Sequence, residues 1–198
     1  MRLMPNLSML KSLLLAALWA GLSSGLLLTA IQSFQAMPSR LEILTNISLA
    51  VAYALLLGFT SILRGGLSSW RQGLCWGLAG YSIFFVAPSL GLPPVVPDTL
   101  VADIEARQLW WLMTVFDTAL GLWLLVFAKT KLNQLLGLVL LISPHAIGAP
   151  HPEVTGSVAN AEIVPSFIIV TAIANAIFWM VIGAVMGFLA QKNKIIKA

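Results

Sequence analysis

Six apolar runs separated by short polar breaks set the pattern of this chain: approximately Ser12–Gln32, Ile47–Leu63, Gly73–Leu90, Leu109–Ala128, Leu132–Ala146 and Pro165–Ala190. A helix crosses the hydrocarbon core of a bilayer with about 20 residues, in a range of about 17–25. Five of the runs reach or approach that length, and Leu132–Ala146 falls short. The breaks leave no room for a soluble domain. The expected architecture is an all-α integral membrane protein, a bundle of about six transmembrane helices with five as the alternative. Residues 1–198 then form a single transmembrane domain.

Charge orients that bundle. Only 9% of the residues are charged, where a soluble domain carries roughly a quarter. The net charge of +4 therefore does not point to nucleic acid, because the basic residues sit at the edges of apolar runs. With six spans and the N-terminus inside, the inner segments hold nine basic residues: Arg2, Lys11, Arg64, Arg71, Lys129, Lys131, Lys192, Lys194 and Lys197. The outer segments hold two, Arg40 and Arg107. That bias places both termini in the cytoplasm. A five-span arrangement without the short run would put the basic tail outside. The first run is longer than a signal-peptide core and is followed by no clean cleavage site, so it reads as a retained span. Trp70 and Trp76 then flank the inner interface, and Trp110 and Trp111 the outer one, where indoles collect.

Small residues recur four apart: Ala17, Gly21, Gly25 and Thr29 in the first run, Gly73 and Gly77 in the third, Gly183 and Gly187 in the sixth. Such stripes let helix backbones approach closely, inside the bundle or against a partner. The third and fifth runs both end in Pro followed by Gly-x-Pro, a short internal similarity.

Candidate chemistry is sparse. No phosphate-binding glycine loop, cysteine pair or Ser-His-Asp pattern is present, so no enzymatic activity and no bound cofactor are expected. The lone cysteine, Cys75, reads as packing. Both histidines lie in Pro144-His145-Ala146-Ile147-Gly148-Ala149-Pro150-His151-Pro152-Glu153. Imidazole is a common ligand of divalent transition metals. The prolines and glycine resist regular helix, so His145 should end a shortened fifth helix. Interrupted helices often build ion sites in transporters. His145, His151 and Glu153 are thus candidate metal ligands, the alternative being an ordinary loop with solvated histidines. Asp117 lies nine residues into the fourth run and Asn175 ten into the sixth, entering from the same side. Mid-bilayer carboxylates are costly and face protein or a wet cavity. Asp117 and Asn175 read either as an ion pathway or as a packing hydrogen bond. Gln32, Gln35 and Gln108, with Glu42, Asp103 and Glu105, would line an oxygen-rich outer mouth, or simply solvate helix ends.

Several of these segments together resemble the CbtA-type cobalt transporter subunit family. They are Ala20-Gly21-Leu22 through Gln32, Leu78-Ala79-Gly80, Ala87-Pro88-x-Leu90-Gly91-Leu92-Pro93-Pro94, Arg107-Gln108-x-Trp110-Trp111, Pro144-His145 through His151-Pro152, and Asn175-Ala176-Ile177-Phe178-Trp179. The resemblance implies a multi-pass subunit of the bacterial inner membrane that imports Co2+ as its transported ion in support of cobalamin synthesis. It also implies a small single-span partner, CbtB. A homo-oligomer is left open, and so is a membrane scaffold that transports nothing. Two features depart from the family pattern. The family is described with five spans, and its longer His- and acid-rich loop after the first helix is here the short Phe34–Ile43, with Glu42 as its one acid.

Overall fold

The computed structural model of the chain describes residues 7–34, 37–96, 99–152 and 163–193. All regular structure among them is helical: α1 (Leu7–Gln32), α2 (Arg40–Ile62), α3 (Trp70–Tyr81), a π-helical turn (Ser82–Val86), α4 (Ala87–Gly91), α5 (Ile104–Phe127), α6 (Lys131–Ile147) and α7 (Ile163–Asn193). The segment Trp70–Gly91 runs as one helix through the π turn. With α1, α2, α5 and α7 it makes five helices long and apolar enough to cross a membrane. The sixth, α6, has 17 residues, about 26 Å of helix, against a hydrocarbon core of about 30 Å.

Helix starts follow local chemistry. Ser39 and Glu42 form a reciprocal capping box on α2, with the Ser39 N–H donating to Glu42 Oε2 at 2.6 Å and the Glu42 N–H to Ser39 Oγ at 3.2 Å. Asp103 Oδ1 accepts from the Glu105 and Ala106 N–H groups at the start of α5, at 2.9 and 3.0 Å. Thr130 Oγ1 caps α6 through the Asn133 N–H. Glu42 is therefore engaged as a cap, and α2 begins at Arg40, several residues before the apolar run itself.

Three prolines fall inside helices and are accommodated differently. Pro165 is in the first turn of α7, where its missing N–H had no partner to lose. Pro88 follows the π turn, a widened turn that relieves the clash of its ring with the preceding carbonyls. Pro144 stays within α6. It cannot donate to the Leu140 carbonyl, and the Ser143 hydroxyl oxygen lies 3.0 Å from that carbonyl. The helix ends just past His145, as expected, at Gly148 with φ 89°.

The chain divides into two compact units. The first comprises residues 1–81 and 174–198. Here α1 and α2 form an antiparallel hairpin, and the expected small-residue stripe is its seam. A methyl added at Gly21 would strike Val51, and one at Gly25 would strike the backbone of Ile47. Asn46 locks the hairpin from the side, its amide donating to Thr29 Oγ1 at 3.1 Å and to Gln32 Oε1 at 2.7 Å. The second and third stripes meet each other. A methyl at Gly73 would strike the Gly183 carbonyl, and one at Gly77 the Trp179 carbonyl, so α3 and α7 touch backbone to backbone. Leu13, Gly58 and Met186 interlock in the core, and Tyr53 packs on Trp179 with ring centroids 4.7 Å apart. Cys75, expected to pack, is exposed on α3.

The second unit, residues 82–173, is built on the antiparallel hairpin of α5 and α6. Its closest approach is between Gly121 and Gly137: each faces the other's carbonyl, at 2.8 and 2.7 Å from the position of an added methyl.

Candidate functional site

The ordered polar chemistry of the second unit gathers around Trp110. This indole was expected at the membrane interface, yet it is 5% exposed. Its N–H donates to the Pro144 carbonyl at 3.2 Å, the same carbonyl that accepts from the Gly148 N–H at 3.0 Å. Its six-membered ring lies over Gly91, where a methyl would collide with it and would come within 3.0 Å of Ala149 Cβ. The two Gly-x-Pro endings noted in the sequence therefore converge on one side chain. A buried indole needs an acceptor for its N–H, and the carbonyl of a residue near a helix end supplies one.

His145 stands in the last turn of α6, as expected, with its ring edge-on to Trp110 at a centroid distance of 5.9 Å and an interplanar angle of 68°. It is half-buried. His151 lies beyond the turn at Gly148. It lines a cavity of about 380 Å3 together with Leu100, Val101, Ala102, Asp103, Ala106, Pro150 and Pro152. The imidazole thus shares a pocket with the carboxylate that caps α5. Both capping bonds from Glu105 and Ala106 go to Oδ1 of Asp103. Asp103 was expected only as part of a diffuse acidic mouth. Its pairing with His151 depends on the path of the chain after Gly148, which no spacing rule gives. Glu153 lies outside the described residues. Among the described residues, no three His, Cys, Asp or Glu side chains come together as a ligand set.

Asp117 is half-buried on α5, and Ser143 of α6 donates to its Oδ2 at 3.0 Å. Ser143 was not singled out from the sequence, although a serine directly before a proline in an apolar run was there to be seen. Asn175 is half-buried on α7, in the first unit. Gln32 is held by Asn46, and Gln108 is exposed.

A family model described as "Probable cobalt transporter subunit (CbtA)" matches residues 39–191. That match takes in α2 through nearly all of α7, including His145, His151, Asp103, Asp117 and Asn175. Neither the comparison with curated proteins nor that with solved structures returned a match. With five helices able to span a bilayer and a match that covers most of its length, this chain is a multi-pass membrane protein that belongs to the CbtA family of cobalt transporter subunits.

Proposed function

We propose that the chain imports Co2+ across a bacterial inner membrane, in support of cobalamin synthesis, with both termini in the cytoplasm. The family match over residues 39–191 carries this reading. The nine-to-two bias of basic residues supports the orientation. In that orientation the cavity of His151 and Asp103 opens to the outside, and acidic groups at a mouth concentrate cations. Ions meet His151 there, and His145 and Glu153 are the further candidate ligands of an N/O donor set suited to a labile divalent metal. They then pass Asp117 near mid-membrane, with Gln32, Gln108 and Asn175 as further polar contacts on the pathway. No nucleotide-binding motif is present in the sequence, so any ATP-driven step needs another protein, and the chain itself acts as a secondary-type or channel-like subunit. A small single-span, CbtB-like subunit is the expected partner.

The test is uptake of radioactive cobalt into vesicles containing the purified chain, alone and with a single-span partner, with nickel, zinc and manganese as competitors. Cobalt accumulation well above empty vesicles, outcompeted by few other ions, is expected. Accumulation equal to empty vesicles in both arrangements overturns the transport reading and leaves a membrane subunit that anchors a partner.

A further inference from the structure

The hydrogen bonds around Ser143 gather three oxygens from two helices. Ser143 Oγ lies 3.0 Å from Asp117 Oδ2 and 3.0 Å from the Leu140 carbonyl. Pro144, four residues on, has no N–H to give that carbonyl, so it lacks its ordinary helical donor. A serine hydroxyl has one hydrogen, so it cannot donate to both acceptors at once. A carboxylate group offers two acceptor oxygens and a carbonyl one more, so the cluster of Asp117, Ser143 and Leu140 is rich in oxygen lone pairs, on two apolar helices. One residue along α5, the Thr118 hydroxyl is buried with no hydrogen-bond partner.

We propose that Asp117 Oδ2, Ser143 Oγ and the Leu140 carbonyl form a station that takes a partly hydrated divalent cation through oxygen ligands alone. The spacing suits this. A small divalent ion in octahedral coordination holds oxygens at about 2.0–2.1 Å, and adjacent oxygens of such a shell are then about 2.9–3.0 Å apart. Ser143 Oγ is the vertex common to two such edges, and water completes the shell. The carboxylate supplies the charge, and the proline-freed carbonyl supplies a ligand with no side chain to order. Oxygen donors discriminate poorly among Co2+, Mn2+ and Mg2+. The station is thus a place of passage, and selectivity belongs to the imidazoles. Its assignment to the cargo path rests on the transport reading above, whereas its ability to bind a cation does not.

The experiment measures equilibrium binding of Mn2+ and Co2+ to the full chain in lipid nanodiscs, in a His145→Ala, His151→Ala background. One ion of either metal is expected to bind. Asp117→Asn should abolish that binding, and Ser143→Ala should weaken it about tenfold, the scale of losing one supporting contact at a metal site. Ser143→Thr keeps the hydroxyl and should restore it. Pro144→Ala is the decisive variant. It returns an N–H to the Leu140 carbonyl, improves the helix, and should weaken binding about as much as Ser143→Ala. Binding that is absent in this background, or unchanged by Asp117→Asn and Pro144→Ala, overturns the station even where vesicles accumulate cobalt. Binding that follows the pattern, in a chain that moves no cobalt, upholds the station and overturns the transport reading alone.

Discussion

Trp110 and Pro144 are joined by a hydrogen bond from an indole N–H to a carbonyl that Gly148 already uses. This places the bond in a class where loss of the donor orphans nothing. Trp110→Phe keeps an aromatic ring but removes the N–H and the outer part of the indole that covers Gly91. The lost hydrogen bond alone should cost about 0.5–1.5 kcal/mol. Trp110→Ala removes the cover from Gly91 and should cost about 3–5 kcal/mol. Thermal unfolding in detergent, followed for both variants, checks the order. Equal losses would mean that the hydrogen bond, and not the ring, holds the site.

The contact between α3 and α7 is bare backbone, so it tolerates no side chain. Gly183→Ala puts a methyl against the Gly73 carbonyl, and should destabilise the first unit by about 1–3 kcal/mol. Gly148→Ala meets no atom within 4 Å but sits at φ 89°, so its cost is local strain of about 1–2 kcal/mol. The two can be separated by proteolysis. Gly183→Ala should expose sites in α3 or α7, and Gly148→Ala only sites after α6.

Asn46 joins α1 to α2 through two side-chain bonds, to Thr29 and Gln32. Interhelical bonds of this kind average about 0.6 kcal/mol in a membrane protein and reach about 1.7. Asn46→Leu should therefore lower stability by that modest amount and leave the hairpin formed, because Gly21 and Gly25 still set its seam. A loss above about 3 kcal/mol, well beyond that range, would show that the polar bonds hold the hairpin.

His151 and Asp103 share one cavity while His145 lies against Trp110. In cobalt uptake at limiting metal, His151→Ala and Asp103→Asn should each raise the concentration needed for half-maximal rate. Asn retains an oxygen for the α5 cap, so folding should hold in the second variant. The double variant His145→Ala, His151→Ala should lose most uptake. Uptake by the double variant equal to that of the unmodified chain removes the ligand role.

Much of the helix framework was legible in the sequence. Small residues four apart marked three stripes, and all three are used inside the chain in two seams, α1 with α2 and α3 with α7, because such a stripe advertises close approach regardless of partner. The end of α6 after His145 was also readable, from Gly148 and the prolines beyond it. Less could be read around the site. Counting residues along a run gives the height of Asp117 in the membrane but not the direction in which it points around its helix, so Ser143 went unnoticed as its partner. Trp110 looked like an interface anchor because indoles prefer interfaces; a buried carbonyl at the right distance outweighed that preference.

The seam between α3 and α7 also bears on how the protein is made. Gly73 and Gly183 are 110 positions apart, and a ribosome adding about 5–20 residues per second needs roughly 5–20 s to bridge them. The hairpins of α1 with α2 and of α5 with α6 close with neighbours that emerge at once. Newly inserted α3, by contrast, must wait in the lipid with its glycine groove uncovered until α7 arrives. A nascent chain arrested before α7 should therefore be a target for membrane chaperones and proteases, and helix α3 should be where they engage it.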